Sequence, residues 1–321
     1  MDSATIDINS EIQNGAFAAR QSHFGNEITF HAPGLKSYHI EGFEQKNPKA
    51  FLPISITGSG CALDCDHCDS KILEPMIPLN PKEGLYAMCE RLAKGGTEAV
   101  LISGGSQRDG KVPFMKHIDA ISRIKKDLGL KVMVHTGLVD ETMAKGLKEA
   151  GVDGVALDII GSNETIKKVY HLNSTIEDYD YSLKVLTDYG LSIRPHIILG
   201  LHYGKMLGEY DALEMISKYP VHALILVIFT PLHGTLMQKV APPPTDEVAD
   251  FFHRARMKMP DSKILVGCAR PSGEYKKIVD IAAVDAGLNG IAYPAEGVIE
   301  HAKAKGLIPK FFENSCSCGV D

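Results

Sequence analysis

The chain has 321 residues, 44% hydrophobic and 23% charged, with a formal net charge of -6. That composition is globular and large enough for a sizeable core, and it excludes a low-complexity chain and a basic nucleic-acid footprint. The N-terminus MDSATIDINS is polar and acidic, unlike a signal peptide, and the longest apolar run, ALILVIF over 223–229, is too short to span a bilayer. A cytoplasmic protein is expected, in which seven cysteines point to metal binding or catalysis rather than disulfides.

Residues 1–50 carry scattered aromatics and no helical period, and read as an N-terminal extension. From 51 onward short apolar, β-branched runs alternate with amphipathic stretches. Strands are predicted over 51–57, 98–103, 131–136, 153–159, 192–199, 222–229, 263–268 and 288–293. Helices are predicted over 80–94, 113–128, 140–150, 175–189, 207–218, 244–258 and 274–286. Buried strands alternating with helices imply a parallel sheet. Eight repeats imply an α/β fold, a TIM-type (β/α)8 barrel, with a partial (β/α)6 barrel plus extra elements as the alternative. One compact domain is expected: an extension over 1–50, the barrel over 51–305 and a tail over 306–321.

Function in such barrels sits at the C-terminal ends of the strands. The unusual residues collect there: Cys61, Cys65 and Cys68 after the first strand, Gly104 and Gly105 after the second, and His135 ending the third. Asp158 ends the fourth strand, Gly200 and His202 follow the fifth, and Cys268 and Arg270 end the seventh.

The segment GCALDCDHC over 60–68 spaces three thiols as CxxxCxxC. Clustered thiolates select zinc or iron–sulfur, and structural zinc generally takes four closed ligands, often as two pairs. A [4Fe–4S] cluster on three cysteines keeps one iron open for a substrate or cofactor. The triplet resembles the signature of the radical S-adenosylmethionine (radical SAM) superfamily. That resemblance implies that Cys61, Cys65 and Cys68 hold the cluster and that S-adenosylmethionine chelates the open iron. It implies that ISGGSQ over 102–107 brings Gly104 and Gly105 to the methionine amine, with Gly200, Asp158 and Arg194 also at the cofactor. The chemistry implied is reductive cleavage to a 5′-deoxyadenosyl radical, which abstracts hydrogen from an unactivated carbon. An electron donor such as ferredoxin or flavodoxin is then required.

Of the other cysteines, Cys89 falls on an apolar helix face and reads as a core thiol. Cys268 and the terminal Cys316 and Cys318, in NSCSCGV over 314–320, would form a second three-thiolate set if the tail folds over the barrel mouth. FGNEITFHAPG over 24–34, VALDIIGSNETIKKVYHL over 155–172 and the stretch 267–306 resemble the archaeal-type two-component lipoyl synthases. This resemblance implies sulfur insertion from an auxiliary [4Fe–4S] cluster into a protein-bound octanoyl chain. Its partners would be a second radical SAM component and an octanoylated lipoyl carrier protein. Within RPSGEY over 270–275, Ser272 is then a fourth cluster ligand and Arg270 a positive group beside it, although Ser272 also suits a helix N-cap. The alternative is a biotin-synthase-like enzyme acting on a small molecule, with the terminal cysteines as a relay cluster. His135, His202 and His233 sit near strand ends and are read as structural or hydrogen-bonding residues, none as a metal ligand.

Overall fold

The computed structural model describes residues 10–34 and 37–316. Eleven strands among them form one sheet, numbered here in chain order. They are β1 (Glu27–His31), β2 (Phe51–Ser55), β3 (Ile77–Pro78), β4 (Ala99–Ser103), β5 (Lys131–His135), β6 (Gly154–Asp158), β7 (Ile193–Leu199), β8 (Ala223–Ile228), β9 (Lys263–Val266), β10 (Gly290–Ala292) and β11 (Ile308–Phe312). The order across the sheet is β11-β1-β10-β9-β8-β7-β6-β5-β4-β2-β3, and every pairing is parallel. All eight predicted strands occur, in sequence order. The sheet curls into an incomplete TIM-type barrel, its ladder ending at β11 and β3. Among the described residues Gly34 N–H donates to Phe51 O at 3.0 Å between the end of β1 and the start of β2.

Apart from the edge strands β3 and β11, the strands are largely buried on both faces, as parallel strands flanked by helices are. Val100, Ile102, Val132, Val134, Leu224 and Leu226 pack outward into the main core. Their neighbours Ala99, Met133, Ala223, Ile225 and Leu265 point inward and pack together in the lower half of the barrel. Local sequence ends the helices where expected. Asp140 Oδ1 accepts from Met143 N–H at 2.9 Å to start Glu141–Ala150, and Gly151, at φ 73°, stops it.

Both termini depart from their expected roles. The segment before 50 is part of the fold: Ser10–Phe24 is a helix packed on Thr245–Lys258, and β1 is inserted between β10 and β11. The guanidinium of the fully buried Arg20 donates to the carbonyls of Gly25 and Glu27 and fixes the turn between them. The tail supplies β11, and its described residues then turn to the lower side of the barrel. Asn314 Nδ2 donates to Glu98 Oε2 at 2.9 Å, below the start of β4. Ser315 Oγ bonds His31 Nδ1 at 3.0 Å, and Cys316 packs against Phe51, Ala99 and Met133.

Candidate active site

The cluster-loop residues 60–68 leave β2 and lie across the upper barrel mouth. Cys65 and Cys68 are buried and Cys61 half-buried. All three line one cavity together with Gly104, Gly105, His135, Asp158 and Tyr170. The sulfurs of Cys65 and Cys68 and a ring nitrogen of His67 lie within 4.8 Å of one another. The Cys65 thiol donates to Cys68, and His67 stands beside it, so the Cys68 thiol is pulled down to about 5 despite burial. The same hydrogen bond, with burial, pushes the Cys65 thiol up. Two buried polar atoms at this cavity, His67 Nδ1 and the Tyr170 hydroxyl, have no hydrogen-bond partner among the described residues. Converging thiols and polar atoms without partners suit a ligand-bearing cluster at this place.

The glycine pair serves the loop itself. A Cβ on Gly105 would stand 2.0 Å from Gly60 O and 2.6 Å from Cys61 Cα, so only glycine lets β4 lie this close to the cysteine loop. Gly105 N–H donates to Thr57 Oγ1 at 2.7 Å, and Ala62 N–H donates to Ser106 O at 2.8 Å. Gly104 is also tight, its Cβ position 3.0 Å from Thr57 Oγ1.

The loop is clamped from the opposite side by a residue the sequence reading passed over. Asp66, between Cys65 and Cys68, is buried and accepts from His171 Nε2–H at 2.7 Å and from the Tyr203 hydroxyl. Its own N–H donates to Val169 O at 2.9 Å. His171 and Tyr203 have φ of 53° and 51°, a left-handed backbone uncommon for such residues.

Three further polar residues meet in the barrel interior. His135, Asp158 and His196 end or occupy β5, β6 and β7, and one ligand-type atom from each lies within 4.8 Å of the others. Burial drives the His196 imidazole down to about 4. Burial pushes the Asp158 carboxyl up, but His135 and His196 outweigh it and hold the group below its usual range. The expected roles of several other residues change. Arg194 is inward but one layer below His196, its Nη1 donating to Ser192 Oγ at 2.9 Å, and it does not line the cavity. Gly200 answers to its turn: φ is 76° and a Cβ would meet Pro243 at 2.5 Å. Arg270 is committed to the fold, with Nε and Nη2 paired to Asp280 at 2.6 and 3.0 Å in full burial. Ser272 is exposed, and the N-cap position belongs to Gly273.

Cys89 is a buried core thiol, its ionisation pushed up to about 12 by burial. Cys268 is exposed two residues beyond β9. Cys316 forms a disulfide, which departs from the expectation of reduced thiols and sets a second cysteine sulfur beside it. Cys318 lies outside the described residues. Leu101 packs against the cluster of side chains holding Cys316 and also lines the upper cavity, so one side-chain layer separates the two.

Residues 55–209 match the model of the radical SAM superfamily. The chain is 26% identical over 286 residues to the biotin synthase of Herminiimonas arsenicoxydans, covering 84% of this chain and 78% of that protein. It is 29% identical over 186 residues to the biotin synthase of Methanococcus aeolicus, covering 54% of each. Its fold is similar to that of methylornithine synthase, with a TM-score of 0.64 over 97% of this chain and 91% of that one, at 14% identity. It is equally similar to the FeFe-hydrogenase maturase HydG from Carboxydothermus hydrogenoformans, with a TM-score of 0.64 over 94% of this chain and 72% of that one, at 14% identity. The two sequence relatives are named biotin synthase, whereas the resemblance in the sequence pointed to lipoyl synthases.

Proposed function

We propose that this chain is a radical SAM enzyme, as the match over residues 55–209 supports, and that it is a biotin-synthase-like enzyme that inserts sulfur at an unactivated carbon of a small molecule held inside the barrel. The observation that carries this reading is the meeting of Cys61, Cys65 and Cys68 with Gly104, Gly105 and Asp158 around one cavity inside the strand ends. Sequence similarity to biotin synthases over most of the chain supports it.

When bound, the [4Fe–4S] cluster and S-adenosylmethionine supply a 5′-deoxyadenosyl radical. The chain's own work is to hold, orient and enclose. Cys61, Cys65 and Cys68 are the cluster ligands, and Asp66 keeps their loop against Val169, His171 and Tyr203. Gly104 and Gly105 bring the end of β4 under the loop. Leu63, Val112, Leu138, Leu172 and Tyr179 give the cavity an apolar wall that limits water around a reactive centre. The Tyr170 hydroxyl and His67 Nδ1 offer two hydrogen-bonding atoms to the bound cofactor or substrate.

For the sulfur source we retain a second cluster on Cys268, Cys316 and Cys318 as part of this proposal, which requires the tail to leave the lower barrel and bring Cys316 to Cys268 beyond the upper end of β9. Cys316 packs under the cavity across Leu101. A Cβ on Gly267 would meet Ile225 and Val227, which also pack with Cys316, so the residue beside Cys268 shares that environment. Reduction of the Cys316 disulfide would be required first. A carrier-bound octanoyl substrate and a second radical SAM component find no support in the named relatives, and the small-molecule reading is preferred. Anaerobic iron analysis tests the cluster count. About eight irons per chain, falling to about four in a Cys268/Cys316/Cys318→Ala variant, is expected for two cubanes. About four in both would remove the internal sulfur source.

A further inference from the structure

The barrel's upper interior holds a set of ligand-type side chains that the cysteine loop does not use. His135, Asp158 and His196 come from three consecutive strands, β5, β6 and β7. The ladder pairs Asp158 with His196, and His135 with Ala156 two residues before Asp158. His135 Nε2 lies 3.6 Å from Asp158 Oδ1. The rings of His135 and His196 are 5.3 Å apart, inclined at 67°. One nitrogen or oxygen from each residue falls within 4.8 Å of the other two.

The hydrogen bonding orients this set. His196 Nδ1 lies 3.1 Å from the Arg194 carbonyl, which only accepts, so Nδ1 carries the proton and Nε2 keeps its lone pair. Anchoring one ring nitrogen on a backbone carbonyl is how metal-ligating histidines are commonly held. Among the described residues Asp158 has no lysine or arginine ion pair, and its charged-type contact is His135. An inward carboxylate flanked by two imidazoles has no fixed cation to answer it. Two imidazole nitrogens and one carboxylate oxygen on adjacent strands match the 2-His-1-carboxylate donor set, which holds a divalent first-row ion on one face and keeps other positions open.

We propose that His135, Asp158 and His196 bind one divalent first-row transition-metal ion, separate from the iron–sulfur cluster, whose open positions take an oxygen or nitrogen donor of the substrate. His135 and Asp158 line the cavity that the three cysteines also line, so a ligand on the ion faces the cluster loop. The ion's role as a substrate anchor rests on the radical SAM reading; its binding does not.

The test is zinc binding by equilibrium dialysis on the anaerobically reconstituted holoprotein, read as zinc per chain. His135→Gln, His196→Gln and Cys61/Cys65/Cys68→Ala variants are dialysed beside it. One zinc per chain is expected in the wild type and the cysteine variant. At least about tenfold weaker binding is expected in each histidine variant. Retention of the wild-type iron content by the histidine variants shows that they are folded. Zinc that vanishes with the cysteines, or persists unchanged in both histidine variants, or never reaches one per chain, overturns the site. Formation of 5′-deoxyadenosine by the wild type is read in parallel, so failure of the ion site and failure of the radical reading give different results.

Discussion

His171 Nε2–H donates to Asp66 Oδ1 at 2.7 Å, tying the loop after β6 to the carboxylate that sits between two cluster cysteines. Tyr203, after β7, reaches the same carboxylate. Both donors hold a left-handed backbone, and the hydrogen bonds offset that strain. Charge-assisted bonds of this kind contribute about 1.5–3 kcal/mol each. Asp66→Ala is expected to lower cluster occupancy and broaden the electron paramagnetic resonance signal of the reduced cluster. Tyr203→Phe, which keeps the His171 bond, is expected to do so less. Full iron content with an unchanged signal in Asp66→Ala would show that the clamp does not position the loop.

Gly105 is the tightest point between β4 and the cysteine loop. Gly105→Ala forces the backbone at Gly60 and Cys61 to move, and anaerobic reconstitution should yield little bound iron. Gly58→Ala is the control. Gly58, unlike Gly105, has positive φ, but no atom lies within 4 Å of its Cβ position. Its cost should appear in stability and not in iron content.

Arg270 and Asp280 form a buried bidentate pair, and Arg270 also donates to the carbonyls of Gly267, Ala292 and Tyr293. Removing one partner of such a pair costs about 3–5 kcal/mol. Arg270→Ala should therefore lower the denaturation midpoint sharply. Cleavage of S-adenosylmethionine per cluster-loaded molecule should be unchanged. A selective loss of that activity would return Arg270 to the site.

Glu209 carries a pH signature. Burial raises its carboxyl from 4.5 to about 7, although Oε1 accepts from Gly200 N–H at 3.0 Å. Between these two values the folded chain binds more protons here than the unfolded chain, so this group's contribution to stability falls as pH rises from 4.5 to 7. The penalty is complete above the folded value and amounts to about 3 kcal/mol. Glu209→Gln should be more stable than wild type at pH 8, with the advantage shrinking toward pH 4.5. Parallel denaturation curves across that range would contradict the assignment.

The barrel was legible because its strands are short, apolar and separated by amphipathic helices, and the CxxxCxxC spacing marked the loop whose cysteines line the cavity. β1, β11 and the two-residue β3 were missed. Ile28 and Phe30 are fully buried, but the run is only five residues long and finds its partners at the far end of the chain. The grouping of His135, Asp158 and His196 was also hidden, since the ladder register, not sequence spacing, brings them together. Arg194 illustrates the same limit. Its inward direction follows from strand alternation, but its depth depends on the stagger between strands. Arg270 was read as a positive group beside a cluster, and its buried partner Asp280, in the following helix, could not be read from the sequence.

The most direct measurement is 5′-deoxyadenosine formed from S-adenosylmethionine by the anaerobically reconstituted, chemically reduced protein, with Cys65→Ala beside it. The account predicts 5′-deoxyadenosine from the wild type, loss of it together with cluster iron in Cys65→Ala, and a rate that increases when the small-molecule substrate is present. A wild type that holds its cluster and binds S-adenosylmethionine yet forms no 5′-deoxyadenosine would contradict it.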